Sequence, residues 1–162
     1  MCHLPDRPLL GVLLKAHTGK DHAQNHGDSQ LSNSTGRQLS GRILVVDDLA
    51  DAAASLALVC ELYGAEAKVA CDGMEALASG AAFQPDVVLM DITMPVMDGY
   101  EAARRVRAEL WGKSVVLIAL TGWGRQTDID AAHAAGFDGH LLKPVDPEAL
   151  VELIFRLQAR RT

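Results

Sequence analysis

A chain of 162 residues with 49% hydrophobic side chains and a formal net charge of −6 is long enough to bury the core of one domain. Residues 42 to 162 carry eleven Lys/Arg against eighteen Asp/Glu, so this body would be repelled by a phosphate backbone, and no nucleic-acid partner is expected. No apolar run approaches the ~20 residues of a bilayer span, and Leu9 to Leu14 is short even for a signal-peptide core, so a cytoplasmic location without a membrane partner is expected.

In chain order, residues 1 to 41 read as a disordered tail or linker. The stretch from His17 to Gly41, HTGKDHAQNHGDSQLSNSTGRQLSG, is rich in Ser, Asn, Gln and Gly and has almost no apolar anchor. His22 and His26 stand at a spacing that on a helix could hold a metal, but no helix is supported there, and they read as incidental. A phosphate-binding P-loop is excluded because Leu14 stands where its first glycine is needed, five positions before Gly19. Cys2, Cys60 and Cys71 show no metal-ligand spacing, so no disulfide framework is expected and they read as small core or tail residues.

From Arg42 onward, apolar strands alternate with amphipathic stretches over a domain at 42–160. Strands are predicted at Ile43 to Val46, Ala67 to Ala70, Val87 to Met90, Val115 to Leu120 and Gly139 to Leu142. Val87 to Met90 has no polar alternation, which marks a strand covered on both faces, as in a parallel sheet. Between the strands, Leu56, Val59, Cys60 and Tyr63 form an apolar stripe ahead of a Gly64 stop. Asp72 with Glu75, and Asp98 with Glu101, have capping-box spacing. Asp146 and Pro147 start a last helix with the stripe Leu150, Leu153, Ile154, Leu157. Trp111 and Trp123 fall in loops, where Trp123 is a candidate shield for a pocket. With only 4% aromatic residues, the core must come from Ala, Val, Leu and Ile. Alternating strands and helices of this kind give an α/β, doubly wound parallel sheet, whose ligands bind beyond the carboxyl ends of the strands.

That rule gathers the chemistry. Asp47 and Asp48 follow the first strand and Asp91 follows the third, so three carboxylates share one rim and need a cation. Hard oxygen ligands suit Mg²⁺. Thr121 and Lys143 end the fourth and fifth strands on the same rim. Carboxylates, a metal, a hydroxyl and an ammonium around one point suit phosphoryl transfer, with Asp91 as the nucleophile that becomes an aspartyl phosphate. A lone Asp at a strand end is more often a cap, and Asp98 and Gly99 read that way, as a helix cap and its loop; the set of five reverses that prior for Asp91.

ILVVDD at 43–48, VVLMDITMPVMDGYE at 87–101, IALTGWG at 118–124 and GFDGHLLKPVDPEAL at 136–150 occur in an order and spacing that resembles the receiver domains of two-component response regulators, over roughly Arg42 to Leu157. The resemblance implies a flavodoxin-like (βα)5 sandwich with strand order 2-1-3-4-5. It also implies that Asp91 accepts a phosphoryl group and that Asp48, Asp91 and the backbone carbonyl of Thr93 bind Mg²⁺, with Asp47 in support. Thr121 would be the switch residue, Lys143 would pair with a phosphoryl oxygen, and Pro144 would follow a cis bond. The implied partners are a histidine kinase or histidine phosphotransfer protein and an unknown downstream protein, with a homodimer through the face of the fourth helix, fifth strand and fifth helix as a further expectation. Leu49, after the acidic pair, departs from the polar residue of many relatives and makes the pocket mouth more apolar. His140 replaces the usual Tyr or Phe and is the candidate second switch residue. FDGHLLKP also looks like receivers fused to hybrid sensor kinases, which suggests a phosphorelay. Such a domain is no enzyme beyond its own phosphotransfer and autodephosphorylation. Two other readings are a pseudo-receiver, which would be expected to have lost acidic residues, and a haloacid-dehalogenase-type phosphohydrolase, whose second Asp is Thr93 here.

Overall fold

The computed structural model describes residues 37–161. The His22 and His26 pair lies outside the described residues. The elements run β1 (Arg42–Val46), α1 (Ala50–Leu62), β2 (Glu66–Ala70), α2 (Gly73–Phe83), β3 (Val87–Asp91), α3 (Gly99–Ala108), β4 (Val116–Thr121), α4 (Gln126–Ala135), β5 (Gly139–Leu142) and α5 (Pro147–Ala159). All strand pairs are parallel, and the sheet order is β2-β1-β3-β4-β5, the flavodoxin-like order expected from the sequence. Each expected strand is present to within one residue at either end. β3 and β4 reach one residue further than expected, so Asp91 and Thr121 are the last residues of their strands.

Alternation along the strands divides the core into two layers. Ile43, Val45, Val87, Leu89, Val116, Ile118 and Leu120 face α1 and α5. Leu44, Val46, Val88, Met90, Leu117 and Ala119 face α2, α3 and α4. Every residue of β3 and β4 is buried, which explains their unbroken apolar runs. The α5 stripe Leu150, Leu153, Ile154 and Leu157 packs as its periodicity demands. In α1 the deepest contacts come instead from Ala53, Ala57 and Cys60, because small side chains let the helix approach the sheet, while Leu56, Val59 and Tyr63 are half-buried. Gly64 ends that helix at φ +100, a left-handed conformation that glycine adopts without a Cβ penalty.

The helix starts are capped by the acidic residues expected. The Asp72 carboxylate accepts from the Glu75 amide at 2.7 Å, and Glu75 reaches back to accept from the Cys71 amide. Asp98 accepts from the Glu101 amide at 2.8 Å, but the Glu101 carboxylate turns to Arg104 and Arg105, so only half of that box forms. Asp146 accepts from the Ala149 amide, with Pro147 at the first helical position.

Three expectations need correction. The compact unit begins at Arg37, ahead of the expected start at 42. Leu39, read as tail, is 3% exposed, and its amide donates to the Tyr63 carbonyl at 2.6 Å. A single leucine among polar residues gives no periodicity that would reveal this. Trp111 opens a single 3-10 turn, Trp111–Lys113, and its ring lies where a Cβ on Gly80 would stand, so that glycine is required by contact. Cys60 is free and buried as expected, but Cys71 is disulfide-bonded and so is not an unpaired core thiol. Among the described residues no helix is long and apolar enough to cross a membrane.

Candidate functional site

Two chain segments bring acid to the rim. β1 delivers Asp47, whose Oδ1 accepts from the Leu49 amide at 2.9 Å. This turn leaves Asp48 exposed beside it. β3 delivers Asp91, whose Oδ1 accepts from the Thr93 amide at 3.1 Å. The loop after β3 then folds tightly back, with the Gly99 amide donating to the Ile92 carbonyl. A Cβ on Gly99 would collide with the Asp91 carbonyl oxygen, so α3 starts against the strand end only because this residue is glycine. Carboxylate oxygens of Asp47, Asp48 and Asp91 lie within 4.8 Å of one another.

Lys143 supplies the opposing charge. Its Nζ lies 2.8 Å from Asp47 Oδ2 and 3.2 Å from Asp91 Oδ2, although the three residues are far apart in sequence. The Lys143 amide donates to the Thr121 carbonyl at 2.8 Å, and the Lys143–Pro144 bond is cis. Burial drives the Lys143 ammonium down, but its hydrogen bonds to Asp47 and Asp91 outweigh this and hold it above the ordinary lysine value. Burial pushes the Asp91 carboxyl above the ordinary range; the Thr93 amide and Lys143 oppose that shift, and the Asp47 charge adds to it. Three carboxylates of mixed exposure, all hard oxygen donors, fit a Mg²⁺ ion. The residues present to hold one are Asp47, Asp48 and Asp91, with Thr93 next to them in the loop.

Thr121 is buried beside the site, yet its hydroxyl is engaged elsewhere. Thr121 Oγ1 accepts from the Trp123 amide at 3.0 Å and donates to the Trp123 carbonyl at 3.1 Å. The Trp123 ring is 61% exposed and lies under the Arg125 guanidinium at 5.7 Å. It does not line the groove that runs from Asp47 and Lys143 along α1. His140 is half-buried and stands in register with Ala119, on the sheet face that also carries Thr121.

The missing wall of the site is α1. A groove of about 330 Å³ runs from Asp47 and Lys143 along Leu49, Leu56, Val59 and Val145. Leu49 is 64% exposed at its mouth, in keeping with the apolar entrance expected there. No local pattern marks the groove itself, because it forms between a helix and a loop distant in the chain.

The response regulator receiver domain model matches residues 43–155. The transcriptional regulatory protein PrrA of Mycobacterium tuberculosis is 39% identical over 120 residues, which cover 74% of this chain and 49% of PrrA. The chain thus spans about half the length of that regulator. The chemotaxis protein CheY4 of Vibrio cholerae superposes with a TM-score of 0.69 at 31% identity, covering 74% of this chain and 99% of that one. The receiver domain of a Pseudomonas aeruginosa sensor histidine kinase, solved with magnesium coordinated in its active-site cleft, superposes with a TM-score of 0.67 at 31% identity, covering 74% and 98%. On its sheet order, its acidic rim and these likenesses, the chain belongs to the response regulator receiver domain family of two-component signalling.

Proposed function

We propose that this chain accepts a phosphoryl group from a phosphohistidine onto Asp91 and uses it to reshape a protein-binding face. The observation that carries this reading is a nearly buried Asp91 carboxylate held between the Thr93 amide and the Lys143 ammonium, with Asp47 and Asp48 beside it. In the step proposed, an Asp91 oxygen forms a bond to phosphorus as the phosphorus–nitrogen bond to imidazole breaks. The imidazole leaves with the electron pair and takes a proton from water. The Thr93 amide keeps the other Asp91 oxygen fixed, so the attacking one stays aimed. Lys143 exchanges a carboxylate contact for a phosphoryl oxygen and so neutralises charge as it is transferred. Mg²⁺, held by Asp48, Asp91 and the Thr93 carbonyl with Asp47 in support, would supply further neutralisation of the phosphoryl oxygens.

Thr121 must then leave two bonds to Trp123 to reach the phosphoryl group. Because His140 lies on the same sheet face, the space vacated by the Thr121 loop is open to it. The face of α4, β5 and α5 would change, where Leu142 is 51% exposed and offers apolar surface to a downstream protein or a second copy. The acidic body favours a protein over a nucleic acid as target. The chain is read as cytoplasmic and as a signalling module with no turnover of other substrates. The test is intact-protein mass spectrometry after acetyl phosphate and Mg²⁺: the parent should gain one phosphoryl group and Asp91→Asn none. Equal gain by both would refute the assignment.

A further inference from the structure

The groove along α1 is apolar over its length and charged only where it meets the rim. Leu49, Leu56, Val59, Pro144 and Val145 line it together with the buried Leu120. Its polar side chains are Asp47, Lys143 and Ser55. The Ser55 hydroxyl donates to the Asp51 carbonyl of its own helix at 2.8 Å, so it needs no acceptor from an occupant. Pro144 has no amide proton to offer. At the rim end, Lys143 Nζ directs two of its three protons to Asp47 and Asp91. The lysine side chain is 32% exposed, and its third proton has no acceptor among the described residues.

These features describe an occupant with one polar head and a plain apolar body. A peptide laid in the groove would leave its backbone N–H and C=O groups without partners, whereas a hydrocarbon chain has none to satisfy. The volume, about 330 Å³, sits at the small end of ligand sites, so the chain is of medium length. The head must carry negative charge to meet the third proton of Lys143, whose ammonium also touches the Asp91 carboxylate. An acyl phosphate has both parts, and its phosphorus is already activated for transfer. We propose that the groove binds the acyl chain of a medium-chain acyl phosphate, a small-molecule phosphodonor for Asp91. The Asp91 oxygen forms a bond to phosphorus as the bond from phosphorus to the acyl oxygen breaks. The carboxylate leaves with the electron pair, no proton moves, and Lys143 meets the departing charge. This deepens the phosphoacceptor reading above and rests on it.

The experiment compares the full-length parent with Ser55→Phe, which fills the groove from an exposed position, and Ser55→Ala, which leaves it open. Each is labelled with equal, sub-saturating concentrations of acetyl, butyryl and octanoyl phosphate in the presence of Mg²⁺, and the phosphoprotein is followed by intact-protein mass spectrometry. Burying one methylene is worth about fourfold. Even with partial burial, octanoyl phosphate should label the parent roughly tenfold or more faster than acetyl phosphate does. Ser55→Ala should keep that gain. Ser55→Phe should accept acetyl phosphate at the parental rate and show no gain with chain length. Octanoate, the leaving group, should inhibit octanoyl labelling of the parent and shift the amide signals of residues 52–59 and 143–145. Rates that do not rise with chain length in the parent overturn the proposal and leave the groove to a protein donor. A gain that survives in Ser55→Phe also overturns it, because the chain then binds elsewhere. If acetyl phosphate itself fails on the parent, the underlying phosphoacceptor reading falls and takes the inference with it.

Discussion

Among the described residues, Lys143 alone bridges Asp47 and Asp91. Lys143→Ala would leave the Asp47 side chain, 4% exposed, without its ion-pair partner. Unfolding in urea without Mg²⁺ should then show a loss of about 1–3 kcal/mol, and an unchanged midpoint would argue that the pair contributes nothing. Cys60 gives a pH-dependent expectation. Burial pushes its thiol from 9.0 up to about 12. A group whose folded value is raised contributes stability below its unfolded value and loses it as pH rises. Above pH 9 the parent should therefore lose stability more steeply than Cys60→Ala, by about 1.4 kcal/mol per pH unit. Parallel curves would contradict this. The residue-level site was legible in the sequence because Asp91 and Thr121 end strands and Asp47, Asp48 and Lys143 directly follow them, and a parallel sheet puts strand ends together.

At the scale of elements, the far end of the sheet is closed by charge. Arg107 of α3 donates to the carbonyls of Gly136, Gly112 and Val115 and to Asp138, tying α3 to the strands β4 and β5. Arg161 after α5 adds a second guanidinium to Asp138, and Asp138 also accepts from the Leu117 amide. Asp138→Ala removes the acceptor shared by all three donors, so it should destabilise the domain by about 2–4 kcal/mol. A loss under about 0.5 kcal/mol, typical of exposed pairs, would show that the clasp is incidental. Nothing in the sequence announces this network, because arginine and aspartate separated by 31 positions carry no periodicity. The strands and α5 were legible for the opposite reason: their apolar spacing is itself the cause of the packing. α1 was legible only in part, since its closest contacts use alanine, which a hydrophobic stripe undervalues.

For the whole molecule, the position of Leu39 changes where the folded unit must start. A chain beginning at Gly41 loses the Leu39 side chain from the core and the hydrogen bond its amide donates to the Tyr63 carbonyl, whereas one beginning at Arg37 keeps both. The shorter chain should be less stable by about 1.5–3 kcal/mol, and equal melting temperatures would refute this. On the proposed function, switching would also be a property of the whole fold. Beryllofluoride with Mg²⁺ should shift Trp123 fluorescence as Thr121 leaves its backbone, and a Thr121→Ala protein should not respond. The proposed function requires one residue, Asp91, to receive the phosphoryl group. The most direct measurement is borohydride reduction of the acetyl phosphate-labelled protein followed by peptide sequencing, because reduction of an aspartyl phosphate leaves homoserine at the modified position. Homoserine at 91 and nowhere else is the result expected. Homoserine at 47 or 48, or a phosphorylated protein with none, would contradict it.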